Sequence, residues 1–92
     1  MRSRLLIAAL TMATSACIAV MAPDTSVFTL YRNSVTDENM RIHVATFDAT
    51  VDVADGGSEA YNRENCEQAK ELFQGQDGVK TKFWCEKGRF HR

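Results

Sequence analysis

The side chains able to carry chemistry in this chain are few. Of its 92 residues, three are cysteines and two are histidines, and no C-x-x-C or H-x-x-x-H spacing occurs. The chain also lacks a G-x-S-x-G turn, a phosphate-binding P-loop and a G-x-G-x-x-G turn. We therefore expect no enzyme activity, no cofactor and no metal site, and the remaining chemistry is that of the cysteines.

Cys66 and Cys85 predict a disulfide. Cys66 falls on the apolar stripe of a predicted helix and Cys85 on one face of a predicted strand, so packing would point the two thiols at each other. The bond would close a loop of about 20 residues and constrain the unfolded chain by about 3 kcal/mol. The alternatives are two buried free thiols, a zinc site completed by His43 and His91, and a redox-active pair.

The first 22 residues have the build of a secretory signal peptide. Arg2 and Arg4 are their only charged residues, an apolar run begins at residue 5, and small residues precede Pro23. The sequence predicts cleavage after Ala22. Residues 23–92 would then be a periplasmic or secreted domain.

Three alternatives to a cleaved signal stay open. Residues 5–22 are close to the lower length limit for crossing a bilayer and would form an N-terminal anchor if uncleaved. Cys17 follows small residues and is a degraded lipidation site. A translation start at Met21 would instead give a cytoplasmic protein. Membrane attachment is therefore expected only with an uncleaved leader or a lipidated Cys17.

Charge is unevenly distributed along the rest of the chain. Residues 23–92 hold twelve acids and nine bases, a net charge of −3, and the two leader arginines bring the whole chain to −1. Residues 23–77 hold eleven acids and four bases, whereas residues 78–92 hold one acid and five bases. This balance argues against extensive nucleic-acid contact. A single-stranded nucleic-acid binder that starts at Met21 and uses the basic end is the alternative.

Hydrophobic periodicity predicts a small α+β domain. The predicted elements, in order β-β-α-β, are strands at 27–32 and 40–47, a helix at 62–74 and a strand at 79–86. Asn62 would cap the helix, and its apolar stripe would contain Cys66, Ala69, Leu72 and Phe73. The simplest arrangement is a three-stranded sheet, with the first two strands forming an antiparallel hairpin and the helix packed on one face.

Strict alternation along the predicted strands leaves the second sheet face without a partner. It directs six aromatic and cationic side chains away from the helix: Tyr31, His43, Phe47, Lys80, Lys82 and Trp84. Clustered aromatic and cationic side chains are typical of contact surfaces. We therefore expect a protein partner or a second copy to bind this face, unless the C-terminal tail or the loop at 48–58 covers it.

Four segments resemble a group of short uncharacterised bacterial proteins. They are TLYRNS at 29–34, MRIHVATFD at 40–48, YNRENC at 61–66 and FWCEKG at 83–88. The resemblance covers most of residues 27–90, and it implies no activity and no functional residue, because the group has no established activity. The leading hypothesis is a small exported, non-catalytic binding module stabilised by one disulfide. A thiol redox protein is a further alternative.

Overall fold

A computed structural model of the protein describes residues 23–52 and 56–91. The predicted leader, with Cys17, therefore lies outside the described residues. The described elements are a 3-10 turn and the four predicted elements, in this order: Asp24–Ser26, β1 (Phe28–Arg32), β2 (Ile42–Phe47), α1 (Gly57–Gln74) and β3 (Phe83–Lys87). The small α+β fold and the order β-β-α-β are confirmed.

The three strands form one antiparallel sheet with β1 in the centre. The strand order is β2-β1-β3, and β1 pairs antiparallel with both neighbours. The predicted hairpin of the first two strands is confirmed. Because β2 and β3 both oppose β1, they run in the same direction, and α1 connects them. The central position of β1 explains why its first four residues are all buried.

The core lies between α1 and one face of the sheet. Phe28, Leu30 and Cys66 form its centre, and Phe47 and Phe83 pack against them. Each fully buried side chain of this size contributes about 1.5–3 kcal/mol of transfer free energy. A domain of this size buries few such side chains, so a covalent link between helix and sheet adds a substantial share of its stability.

The predicted disulfide is confirmed and provides that link. The sulfur atoms of Cys66 and Cys85 are bonded, and their Cα atoms are 6.2 Å apart. Cys66 is buried on the face of α1 that meets the sheet, and Cys85 lies on the helix-facing side of β3. The bond therefore joins the helix to an edge strand 19 residues further along the chain.

The helix begins earlier than predicted, at Gly57. Gly56 precedes it with φ of 78°, a left-handed conformation that favours glycine, and a Cβ there would lie 2.7 Å from the Cβ of Ala60. Asn62 is therefore not a cap but a buried residue inside α1. The prediction that Leu72 belongs to the core-facing stripe of the helix is wrong, because its side chain is exposed. Phe73, from the same predicted stripe, stacks on Phe83 of the sheet at a ring-centroid distance of 5.5 Å.

A β-bulge in β2 changes which side chains share a face. Leu30 pairs with Ala45, but the next residue, Tyr31, pairs with His43, so Val44 is the extra residue. Phe47 and Ala45 consequently pack on the helix side with the core, while His43 lies on the opposite face. The expectation that Phe47 shares a face with His43 is wrong, because one inserted residue reverses the alternation beyond it.

The third strand is shorter than predicted, and this changes the position of two lysines. β3 begins at Phe83, and the backbone N–H of Val79 donates to the carbonyl of Gln76 in a turn. Lys80 and Lys82 therefore precede the strand rather than alternate along it. Lys82 is held at the edge of the sheet by its backbone, because its N–H donates to Asn33 Oδ1 over 2.8 Å.

Candidate functional site

Tyr31 is the centre of the second sheet face, the one turned away from α1. Its ring stacks on Trp84 at a centroid distance of 6.0 Å and meets Phe90 at 6.2 Å. Phe90 also lies 4.7 Å from the ring of His43. Three of the predicted contact residues, Tyr31, His43 and Trp84, are thus brought together. Tyr31, however, is only 1% exposed, because other side chains cover it.

Arg41 covers Tyr31 and ties the second face together. Its guanidinium lies 4.1 Å from the ring centroid of Tyr31 and donates to the phenol oxygen over 2.9 Å. It also donates to both carboxylate oxygens of Glu86, at 3.0 and 3.1 Å, and to the backbone carbonyl of His91 over 2.8 Å. Trp84 Nε1 donates to the same carboxylate over 2.7 Å. The sequence patterns singled out neither Arg41 nor Glu86.

The electrostatics of this cluster favour the ionised forms of Arg41 and Glu86. The hydrogen bond from Arg41, followed by that from Trp84, lowers the pKa of Glu86 below its usual value, although partial burial acts in the opposite direction. The hydrogen bond to Glu86 correspondingly raises the pKa of Arg41. The donors of Arg41 and Trp84 are thus directed at an ionised carboxylate, a carbonyl and a phenol oxygen, and these contacts join β1, β3 and the tail.

The C-terminal tail is what covers this face. Arg89 forms ion pairs with Asp24 at 3.1 Å and with Asp48 at 3.2 Å, and Phe90 then lies over Tyr31 and His43. The predicted alternative in which the C-terminal tail lies on the aromatic side chains is therefore the arrangement in the structure. Trp84 and Phe90 remain partly exposed at its rim.

The basic end of the chain is partly neutralised within the molecule. Lys87 Nζ lies 2.7 Å from a carboxylate oxygen of Glu59, and this contact lowers the pKa of Glu59 through the hydrogen bond and the lysine charge. Arg89 is paired with two aspartates, as described above. Two of the cations assigned to a nucleic-acid surface are therefore engaged with acids of the same chain.

A second surface, which we call the groove, lies between α1 and the edge strand β2. It is an open depression of about 470 Å³. Phe47 and Ala69, which pack against the core, form its floor. Tyr61 and Leu72 line it from the helix and are 48% and 73% exposed. Large apolar side chains at these exposures make the groove the more accessible of the two surfaces.

The helix wall of the groove carries no charge. Its residues lie at helical spacing on one side of α1: Tyr61, Asn65, Gln68 and Leu72. Charged side chains occupy the rest of the exposed surface of α1, where, for example, Lys70 pairs with Glu67 at 2.6 Å. Sequence reasoning missed this wall. The wall could have been recognised in the sequence from four uncharged residues, spaced by four, three and four positions, in an otherwise acidic helix.

Asn62 closes one end of the groove. Its Nδ2 donates to the carbonyls of Ser26 and Ala49, at 2.7 and 3.0 Å, and its Oδ1 accepts from the N–H of Ala49 at 3.0 Å. The side chain is buried and fully hydrogen-bonded. It therefore positions the segment after β2, and with it the rim of the groove, against the helix.

Metal-ligating clusters and membrane-spanning helices are both absent from the described part of the chain. Residues 23–52 and 56–91 contain no group of three or more metal-ligating side chains and no helix long and apolar enough to cross a membrane. Cys66 and Cys85 are bonded to each other, and His43 lies on the far side of the sheet from them. Comparison with known protein families, curated proteins and solved structures finds no match.

Proposed function

We propose that this protein is an exported, non-catalytic binding module that takes its partner in the groove between α1 and β2. The observation that carries the proposal is the exposure of Tyr61 and Leu72 above an apolar floor in so small a domain. The disulfide between Cys66 and Cys85 supports it, because the bond fixes α1, one wall of the groove, to the sheet.

The groove is favoured over the second sheet face for a physical reason. A partner on the second face would have to displace Phe90 and the Arg41 contacts before reaching Tyr31. The groove offers its apolar side chains without any rearrangement. Of the predicted contact residues, Phe47 belongs to this surface, while Tyr31, His43 and Trp84 belong to the covered face.

Export is the second part of the proposal. It is supported by the signal-like leader and by a disulfide, since disulfides persist mainly in oxidising compartments. The intact mass of the protein from its native host tests it. The expected mass is that of residues 23–92 less two hydrogens. A mass that begins at Met21 with free thiols would contradict export, and a diacylglyceryl addition on Cys17 would show a lipid-anchored protein instead.

Site-specific photo-crosslinking tests the groove. A photoreactive residue in place of Tyr61, introduced in the native host, should give a discrete adduct that Leu72→Asp removes. The matched control is the same residue in place of Val35, which is 71% exposed in the β1–β2 connection, away from the groove. Equal adducts at both positions, or an adduct that survives Leu72→Asp, would contradict the groove as the binding surface.

A further inference from the structure

The two edge strands of the sheet differ in how they are protected. β3 carries Glu86 and Lys87, and charges of this kind discourage pairing with another strand. β2, with the sequence IHVATF, contains no charged residue and no proline. Within the described chain, β2 has a strand neighbour on one side only. A further strand on its other edge would pair beside the bulge at Val44, which locally distorts that edge.

The helix wall lies beside the C-terminal end of β2, where Thr46 and Phe47 line the groove. At one end, Asn62 is bonded to Ala49, two residues beyond the last residue of β2. At its C-terminal end α1 packs on the opposite edge of the sheet, because Phe73 stacks on Phe83 of β3. A strand added at about 4.8 Å from β2 would therefore pass Tyr61 and Leu72 where it pairs with the C-terminal end of β2.

Charge at the rim distinguishes a second copy from another partner. Glu64 and Glu71 lie next to the uncharged wall on the outer side of α1, and Glu71 is largely exposed. Glu64 makes no ion pair with a described residue, and Lys70 is 3.7 Å from Glu71. In a symmetric β2–β2 dimer, the two helices would face each other across the axis and bring these like charges together. A partner with basic residues would be attracted instead.

We infer that the groove binds an extended peptide segment of a partner protein, apolar at its centre and flanked by Lys or Arg, which adds to β2 as a fourth strand. This inference rests on the proposed function and specifies its partner. Backbone hydrogen bonds to β2 would supply affinity, Tyr61 and Leu72 would contact the apolar centre, and Glu64 and Glu71 would contact the basic flanks.

Two synthetic peptides test the inference on the oxidised protein. Both have a core of alternating valine and threonine; one has lysines at both ends and the other glutamates. We expect the lysine peptide to bind in a fluorescence-anisotropy titration at least tenfold more tightly than the glutamate peptide at low salt. Amide hydrogen exchange should slow in β2 and not in β3.

Variants identify the residues responsible. Leu72→Asp should weaken binding of the lysine peptide at least tenfold, whereas Val35→Asp, at a similarly exposed position outside the groove, should not. Glu64→Gln with Glu71→Gln should weaken it about fivefold at low salt. The control Glu38→Gln, in the β1–β2 connection, should leave it unchanged.

Each contrary result would overturn a different part of the inference about the peptide partner. Equal binding of both peptides would show that the partner is not selected by basic flanks. Slow exchange in β2 without peptide, together with concentration-dependent dimerisation in analytical ultracentrifugation, would identify a second copy as the occupant. If neither peptide binds, an extended-strand partner is wrong. The crosslink at position 61 still reports separately on the groove, so the proposed function can stand when this inference falls.

Discussion

At the residue scale, the buried side chain of Asn62 connects three segments of the fold. It links the turn at Ser26, the segment at Ala49 and the helix through three hydrogen bonds, and it is buried among them. A buried asparagine is stable only when its donors and acceptor are matched. Here they are matched by backbone groups of Ser26, which is buried, and of Ala49, which is half-buried.

Replacing Asn62 should be costly for that reason. We expect Asn62→Ala to lower the free energy of unfolding by about 2–4 kcal/mol, since it leaves backbone groups of Ser26 and Ala49 unpaired. Urea denaturation measures this change. The control is Asn65→Ala, because Asn65 makes one hydrogen bond, to the carbonyl of Tyr61, at an exposed position. Equal losses in the two variants would contradict the role given to Asn62.

The pair of Arg41 and Glu86 predicts a dependence of stability on pH. The folded protein lowers the pKa of Glu86, so this group stabilises the fold above its unfolded pKa of about 4.3. Its contribution is lost as the pH falls through the lower pKa of the folded state. The free energy of unfolding of Glu86→Gln should therefore approach that of the wild type between about pH 5 and pH 2. A difference that stays constant over this range would contradict the assignment.

At the element scale, the disulfide attaches α1 to one face of the sheet, and the C-terminal tail packs on the other face. The bond between Cys66 and Cys85 fixes α1 to β3 on one face. On the other, Phe90 and the contacts of Arg41 close the aromatic cluster around Tyr31. Neither α1 nor the tail is part of the sheet, so each depends on these contacts for its position.

Removal of the disulfide tests the first of these connections. We expect Cys66→Ala with Cys85→Ala to lower the free energy of unfolding by about 3 kcal/mol, because the unfolded chain regains the entropy of a closed loop. Chemical denaturation with and without reductant checks the value. In the wild type, reduction should have a similar effect, and in the double variant none. If reduction left the denaturation midpoint of the wild type unchanged, the disulfide would not stabilise the fold as predicted.

Truncation of the Phe90 ring tests how the tail packs on the aromatic cluster around Tyr31. Phe90→Ala should uncover Tyr31 and His43, increase binding of a hydrophobic dye and lower the free energy of unfolding by about 1 kcal/mol. Val35→Ala is the control, as Val35 is exposed in the β1–β2 connection. Unchanged dye binding in Phe90→Ala would show that Arg41 alone covers the face.

At the scale of the whole molecule, contacts between segments distant in sequence hold the described residues together. The core around Phe28, Leu30 and Cys66, the disulfide and the covering tail belong to residues 23–91. The acids and bases that were separate along the sequence meet in the fold, as Arg89 does with Asp24 and Asp48. Exposed pairs of this kind add little stability individually.

This arrangement predicts that residues 23–92 fold without the leader. Produced under oxidising conditions, the fragment should give a circular dichroism spectrum with helix and strand contributions and a single cooperative urea transition. The same fragment with Cys66→Ala and Cys85→Ala serves as the comparison and should unfold at a lower urea concentration. A non-cooperative transition in the oxidised fragment would show that residues 1–22 are required for the fold.

The sequence alone predicted the order of the elements and favoured a disulfide among the alternatives for the two cysteines, and the structure confirms both. Periodicity is a local property, so residues that alternate or recur at helical spacing reveal strands and a helix without knowledge of their neighbours. Cys66 and Cys85 were the only cysteines after the leader, on elements expected to face each other. Tyr31, His43 and Trp84 were placed on one face for the same local reason.

Only the tertiary structure decided which surfaces are accessible. The bulge at Val44 depends on pairing with β1, and it moved Phe47 to the helix side of the sheet. The burial of Asn62, the tail on Tyr31 and the groove beside Leu72 depend on contacts between segments distant in sequence. The free energy of such contacts depends on three-dimensional proximity, which no local pattern of residue types contains.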